Sequence, residues 1–378
     1  MKKFVLVPDS FKGTMSSIQV CTAMEAGIRA VFPHARVTAL PVADGGEGSA
    51  DAFLLALGGR RVTLTVTGPE GTPVESFYAL LPDGTAVIEM AAAAGLPLVR
   101  EPRDPERTTT FGVGELLRHA ARHGARRAVM CLGGSATNDG GCGAAAACGV
   151  RFRDAAGTEF VPVGGTLGKV AAADLAGLDP AVARLPIVTM CDIDNPLCGP
   201  AGAAAVFGPQ KGAAPEQVER LDAGLASLAR VLRRDLGADV SELPGAGAAG
   251  GMGAGMAAFF RSRLQSGIET VLDTVHFSEV IRDADLILTG EGRLDGQSAR
   301  GKVVSGVARR AAGVPVAAVV GDVGPGVDPL YAMGVTAVFS INRVAVPYAE
   351  ARLRAEADLR ETVADMLRLV RACGGRRS

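Results

Sequence analysis

The 378-residue chain has no tryptophan, three tyrosines and four histidines. With 39 Lys+Arg against 40 Asp+Glu, its net charge is −1. No basic stripe interleaved with aromatics runs along it, so nothing supports nucleic-acid binding. Its seven cysteines form no CxxC pair, and Cys191 and Cys198 lack zinc-ribbon spacing. They read as reduced core or loop thiols. None of the histidines lies in a Gly-rich loop, which removes a Ser-His-Asp arrangement. His119 and His123 are four apart, but Ala120 stands where HExxH needs its glutamate, so they read as helix C-terminal residues. The longest uncharged stretch, Leu243 to Phe260, is Gly/Ala-rich and too short for a membrane span. Phe4 to Val7, after Lys2 and Lys3, is too short for a signal-peptide core. The expected location is cytoplasmic, without a membrane partner.

What remains is a globular α/β composition, 48% hydrophobic and 21% charged. The 50 glycines cluster at strand ends, which points to a loop-built site. The first strand is read at 4–7, a helix from Ser16 or Ser17 to Phe32, a strand at 37–42 and a helix at 49–57. Residues 61–67, 74–81 and 85–90 read as strands of an antiparallel block. A helix at 112–123 and a strand at 128–132 follow. Further on come a strand at 186–190, a long helix from Pro215 to about Asp235, and a Gly/Ala segment at 245–255 leading into a helix. The βα rhythm returns with strands at 285–288, 314–320 and 335–341 and helices at 304–312 and 350–373. The expected fold class is α/β with two domains. A doubly wound parallel sheet is built from both chain ends, 1–61 and 283–378, and a second mixed α/β domain, 62–282, is inserted. The active site is expected in the cleft between them.

Several strands end in loops carrying small polar or charged groups: Asp9 to Lys12, Asp44 to Glu47, Gly133 to Gly141, Asp192 to Asn195 and Glu291 to Asp295. Carboxyl ends of parallel strands line the ligand crevice of such sheets. In Gly133-Gly-Ser-Ala-Thr-Asn-Asp-Gly-Gly141 the glycines let backbone N–H groups converge on an anion. The side chains of Ser135, Thr137, Asn138 and Asp139 can bind hydroxyls, phosphate oxygens or a metal. These groups suit phosphoryl transfer, which needs donors around phosphates, a divalent cation and a group for the acceptor hydroxyl. Lys12, Lys211, Arg293 and Lys302 are the candidate cations. Asp139, Asp192 and Asp194 are the candidate Mg²⁺ carboxylates.

Two patterns fail as nucleotide motifs. Gly296 to Val303 fits GxxxxGK[ST] except at Val303, which has no hydroxyl, and lies several residues past its strand. Only Lys302 is kept as a phosphate contact. Gly245, Gly247 and Gly250 fit GxGxxG, but no strand precedes them, so they read as close helix packing or a flexible lid.

Taken together, Pro8–Lys12, Pro41–Gly48, Gly133–Gly141, Cys191–Leu197, Phe207–Ala213 and Thr289–Gln297 resemble the motifs of the bacterial type I glycerate kinases, in family order. The resemblance implies a flavodoxin-like domain interrupted by a second α/β domain. It implies ATP-dependent phosphorylation of D-glycerate, giving 2-phosphoglycerate, with Mg²⁺. The alternatives are phosphorylation at the 3-hydroxyl or a kinase for a related hydroxy acid. On this reading Asp192 takes or orients the hydroxyl proton, and Arg293, with Lys12 second, holds the glycerate carboxylate. Ser10, Asp44, Gly45, Gly46, Gly133, Gly134, Ser135, Thr137, Asn138, Lys211, Asp295 and Lys302 contact substrate or phosphate. Asp139 and Asp194 hold the metal.

Overall fold

The strand Lys3–Pro8 is buried along its whole length, with Phe4 and Leu6 on one face and Val5 and Val7 on the other. Such a run demands cover on both faces and a central place in a parallel sheet. The computed structural model, which describes residues 1–42, 46, 48–300 and 302–374, gives it that place. Lys3–Pro8 pairs in parallel with Arg36–Ala39 on one side and Leu286–Gly290 on the other, and Val316–Val320 and Val335–Ser340 continue the sheet. Numbered along the chain, the spatial order is 2-1-3-4-5, that of flavodoxin-like folds.

Helices Ser17–Val31 and Tyr348–Gly374 cover one face, with Phe4, Leu6, Met24, Ile28, Leu359 and Val363 in the shared core. Burying each such side chain is worth about 1.5–3 kcal/mol. Ser16 starts the first of these helices through a capping box with Gln19. A Cβ at Gly27 would lie 2.6 Å from the carbonyl of Arg360, so the two helices cross at a glycine. On the other face Val304 of helix Val303–Arg310 and Leu330 of Asp328–Ala332 pack on Ala318 and Val320.

The second unit has a six-stranded mixed sheet. Arg263–Gln265, Ile187–Met190, Arg127–Cys131 and Thr85–Glu89 are parallel in that order. Pro73–Leu80 and Arg60–Thr67 extend it antiparallel, as the alternating pattern of 61–67 predicts. Helices Phe111–Arg122, Cys142–Ala147, Pro215–Leu236 and Ala248–Phe260 contribute most of its helical cover. A small three-stranded sheet, Arg151–Arg153 with Glu159–Phe160 and Ala172–Asp174, is an addition the sequence pattern did not reveal.

The two units are Met1–Asp44 with Ile268–Ser378, and Gly45–Gly267. The sequence reading drew the crossings at 61/62 and 282/283. Helix Ser49–Leu57 falls in the inserted unit because the buried Glu89 carboxylate caps it, accepting from the N–H groups of Gly48 (3.3 Å) and Ala50 (2.6 Å). Cys21, Cys131, Cys142 and Cys148 are buried free thiols, and burial pushes Cys21 and Cys148 up to about 12. No helix among the described residues is long and apolar enough to cross a membrane.

Candidate active site

In the inserted unit the four parallel strands end level with one another. Glu89 lies opposite Cys131, Cys131 opposite Met190, and Met190 opposite Gln265. Gly133–Gly141 and Asp192–Asn195, far apart in sequence, therefore leave neighbouring strands at the same edge. The Gly/Ala segment joins them. A Cβ at Gly250 would lie 2.0 Å from the carbonyl of Thr137, and one at Gly247 would lie 2.3 Å from that of Pro196. The N–H of Gly140 donates to the carbonyl of Gly250 at 3.1 Å. The decoy GxGxxG is thus a packing wedge, with Ala249, Gly250 and Gly251 at positive φ.

The turn itself is closed by left-handed glycines at 134, 140 and 141. Ser135 is 6% exposed, and Thr137, Asn138 and Asp139 are fully buried. Asp139 Oδ2 accepts from the N–H of Thr110 (2.8 Å), the hydroxyl of Thr110 (2.8 Å) and the N–H of Gly143 (3.2 Å). Its Oδ1 accepts from the N–H of Gly141 at 3.1 Å. Burial pushes this carboxyl up, opposed by those hydrogen bonds.

Lys211 enters from the turn Pro209–Lys211 and is 2% exposed. Its Nζ donates to Ser135 Oγ (2.9 Å) and to the carbonyl of Thr137 (2.6 Å). Among the described residues no carboxylate lies within ion-pair distance of it. Desolvation lowers its pKa from 10.5 to about 7, and the charge of Asp139 opposes the shift. Beside it, Thr137 Oγ1 and both polar atoms of the Asn138 side chain have no partner among the described residues. Buried polar atoms without partners are rare and signal an unfilled binding position or a water. Asp192 is exposed, and its Oδ1 accepts from the N–H of Gly267 at 2.7 Å. A Cβ at position 267 would come within 2.8 Å of its other oxygen, so glycine permits the approach. Asp194 is exposed nearby.

In the terminal unit the loops after Lys3–Pro8 and Leu286–Gly290 sit at the switch point of the sheet, where the strand order reverses. The N–H of Asp9 donates to the carbonyl of Gly290 (2.8 Å), and the N–H of Ser10 to Asp9 Oδ1 (2.6 Å). Lys12 is exposed. Arg293, with 63% of its side chain exposed, approaches Asp295 (3.8 Å) and Asp322 (4.0 Å). Asp295 Oδ1 accepts from the N–H of Gln297, and Lys302 is the exposed N-cap of helix Val303–Arg310.

The expected residues therefore fall into two groups. Gly133, Gly134, Ser135, Thr137, Asn138, Asp139 and Lys211 cluster in the inserted unit, with Asp192 and Asp194 on the neighbouring loop. Ser10, Lys12, Arg293, Asp295 and Lys302 gather in the terminal unit. Gly46 takes a local structural part, its carbonyl accepting from Ser49 Oγ at 2.7 Å. Asp44 and Gly45 lie outside the described residues.

Asp139 does not fit a Mg²⁺ ligand. Both its oxygens already accept hydrogen bonds, and the side chain is fully buried. Among the described residues no group of three or more His, Cys, Asp or Glu is placed to hold a metal ion. Sequence reasoning also passed over Thr110, which fixes Asp139, and Glu291. Glu291 was legible only as part of its motif.

The glycerate kinase family model matches residues 4–371. The chain is 44% identical to glycerate kinase of Bacillus subtilis, over 96% of each chain. It is 45% identical to glycerate 2-kinase of Escherichia coli, over 90% of each. A crystal structure assigned to glycerate kinase 2 of Salmonella typhimurium LT2 superposes with a TM-score of 0.87 at 44% identity, over 99% of each chain. A family match across the whole fold, with the family's polar turns at strand ends, makes this chain a member of the glycerate kinase family.

Proposed function

We propose that the chain transfers the γ-phosphoryl group of ATP to the 2-hydroxyl of D-glycerate, giving 2-phospho-D-glycerate and ADP. The observation that carries the chemistry is Lys211. A buried ammonium group held by Ser135 and Thr137, beside three polar atoms without partners, is what an anion-binding turn needs before its anion arrives. The 2-position follows from the likeness to the Escherichia coli glycerate 2-kinase.

In the reaction the substrate hydroxyl oxygen forms a bond to the γ-phosphorus while the bond to the ADP oxygen breaks. Asp192, oriented by the N–H of Gly267, receives the hydroxyl proton. Gly133 to Gly141 and Lys211 take phosphate oxygens through fixed donors. Lys12 and Arg293 hold the glycerate carboxylate by charge-assisted hydrogen bonds. Mg²⁺, where phosphoryl transfer uses it, neutralises phosphate charge.

Two measurements test this. ADP release should depend on D-glycerate, and NMR of the product should place phosphate on C2; phosphate on C3, or no ADP with glycerate, ends the proposal. Asp192→Asn should cut kcat by about 10²–10⁴-fold with little change in the KM for ATP. Near-normal turnover in that variant removes the assigned base.

A further inference from the structure

The turn that holds Lys211 leaves three buried atoms unpaired among the described residues: Thr137 Oγ1, Asn138 Oδ1 and Asn138 Nδ2. Both residues are fully buried. The backbone that carries the Asn138 amide is gripped from two sides. A Cβ at Gly250 would lie 2.0 Å from the carbonyl of Thr137 and 2.6 Å from the Cα of Asn138. A Cβ at Gly164 would lie 3.3 Å from the carbonyl of Asn138. Lys211 Nζ holds the Thr137 carbonyl at 2.6 Å. So fixed a backbone gives the amide little freedom to seek a partner elsewhere.

The three atoms differ in what they require of an occupant. A threonine hydroxyl rotates and can donate or accept, whereas one end of an amide only donates and the other only accepts. Exchanging the two ends of the Asn138 amide changes nothing, because both are open. Ionised phosphate oxygens accept and do not donate. A phosphate can therefore take the Thr137 hydroxyl, the amide N–H groups and the third N–H of Lys211, whose other two go to Ser135 and Thr137. It cannot take Asn138 Oδ1. That oxygen needs a donor brought in beside the anion, and a hydroxyl is the donor an organic acid carries. Glycerate has two hydroxyls. One receives the phosphoryl group and gives its proton to Asp192; the other, on C3, has no partner in the roles above.

We propose that Asn138 is a specificity-determining residue whose Oδ1 accepts a hydrogen bond from the 3-hydroxyl of glycerate. This rests on the glycerate kinase reading above and deepens it, because it makes the second hydroxyl a requirement of the site. Acids without that hydroxyl leave Oδ1 buried and unpaired, which is how polar sites reject analogues.

The test is steady-state kinetics on the full chain with ATP and either D-glycerate or D-lactate, which has the same arrangement at C2 but no 3-hydroxyl. Wild type is compared with Asn138→Leu, whose side chain has similar size and no polar atom, and a thermal melt checks the fold of each. Both acceptors use the same ATP, so a lost phosphate contact lowers both rates and cancels in their ratio. Wild-type kcat/KM should favour D-glycerate by about 10²-fold or more. In Asn138→Leu the preference should shrink to less than about tenfold, through loss on D-glycerate with D-lactate nearly unchanged.

A leucine variant that melts like wild type and keeps the wild-type preference overturns the proposal, as a buried water or a purely structural amide predicts. So does a variant in which only the KM for ATP moves, which would put a nucleotide group at Oδ1. If the variant fails to fold, wild type decides with 3-fluorolactate of the same arrangement at C2, whose fluorine replaces the hydroxyl but cannot donate. It should be as poor an acceptor as D-lactate, and activity near that of D-glycerate overturns the proposal. Wild-type turnover of D-glycerate checks the underlying reading separately: its absence sinks both ideas, whereas turnover with an unmoved preference in Asn138→Leu sinks only this one.

Discussion

Asp139 and Glu291 are both buried carboxyl groups in Gly-rich loops beyond parallel strands, one in each unit, and burial raises the pKa of both. Their surroundings differ. Asp139 accepts from three backbone N–H groups and one hydroxyl. Glu291 Oε1 is buried without a partner among the described residues. The first arrangement fixes a turn; the second leaves a buried oxygen without a protein partner among the described residues. Residue type and position alone would have given both acids the same role.

The largest effect should come from removing the satisfied acid. Asp139→Ala leaves the N–H groups of Thr110, Gly141 and Gly143 buried without their acceptor. It should destabilise the inserted unit by about 3–5 kcal/mol. Denaturant unfolding, with hydrogen exchange at those amides, measures this. A loss below about 1 kcal/mol would mean the carboxyl is not the staple described.

Lys211→Met sharpens the contrast. An apolar chain of similar length avoids the cost of burying an ammonium, so stability at pH 7 should stay within about 1 kcal/mol of wild type. Turnover should fall on the order of 10²-fold. Because the folded pKa, about 7, lies below the unfolded 10.5, the unfolded chain binds more protons between those values. Stability of wild type relative to Lys211→Met should therefore rise as pH climbs from about 7 towards 10.5. A relative stability that stays flat or falls over that interval would contradict the buried setting of Lys211.

The smallest structural effect belongs to Arg293→Ala. Its long ion pairs are solvent-screened, so the unfolding midpoint should not move. The glycerate KM should rise about tenfold if the guanidinium holds the carboxylate. A variant that unfolds early but binds glycerate normally would make Arg293 a structural residue instead.

Much of this was legible in the sequence. The buried runs around Phe4 to Val7 and Val316 to Val320 announce parallel strands, and alternation at 61–67 announces a half-exposed one. Glycines mark the turns because a left-handed φ has few other occupants. The missing GxGxxG strand was enough to read Gly245 to Gly250 as close packing or a flexible lid, and the approaches of Gly247 and Gly250 to Pro196 and Thr137 show close packing. What stayed hidden depends on partners distant along the chain. Asp139 looks like a metal ligand until Thr110, 29 residues earlier, is seen donating to it twice. Lys211 looks like a surface cation until its burial against Ser135 and Thr137 is known. The crossing near residue 44 could not be placed from composition, because Glu89 decides where the helix after it belongs.

The terminal unit's central strand has a consequence for biosynthesis. Val7 accepts a hydrogen bond from Thr289, 282 positions later, so the strand emerges from the ribosome long before its neighbour exists. The inserted unit, contiguous from 45 to 267, is complete by then and is expected to fold first. The nascent strand Lys3–Pro8 would meanwhile wait with an unpaired, apolar edge, the kind of segment that chaperones shield.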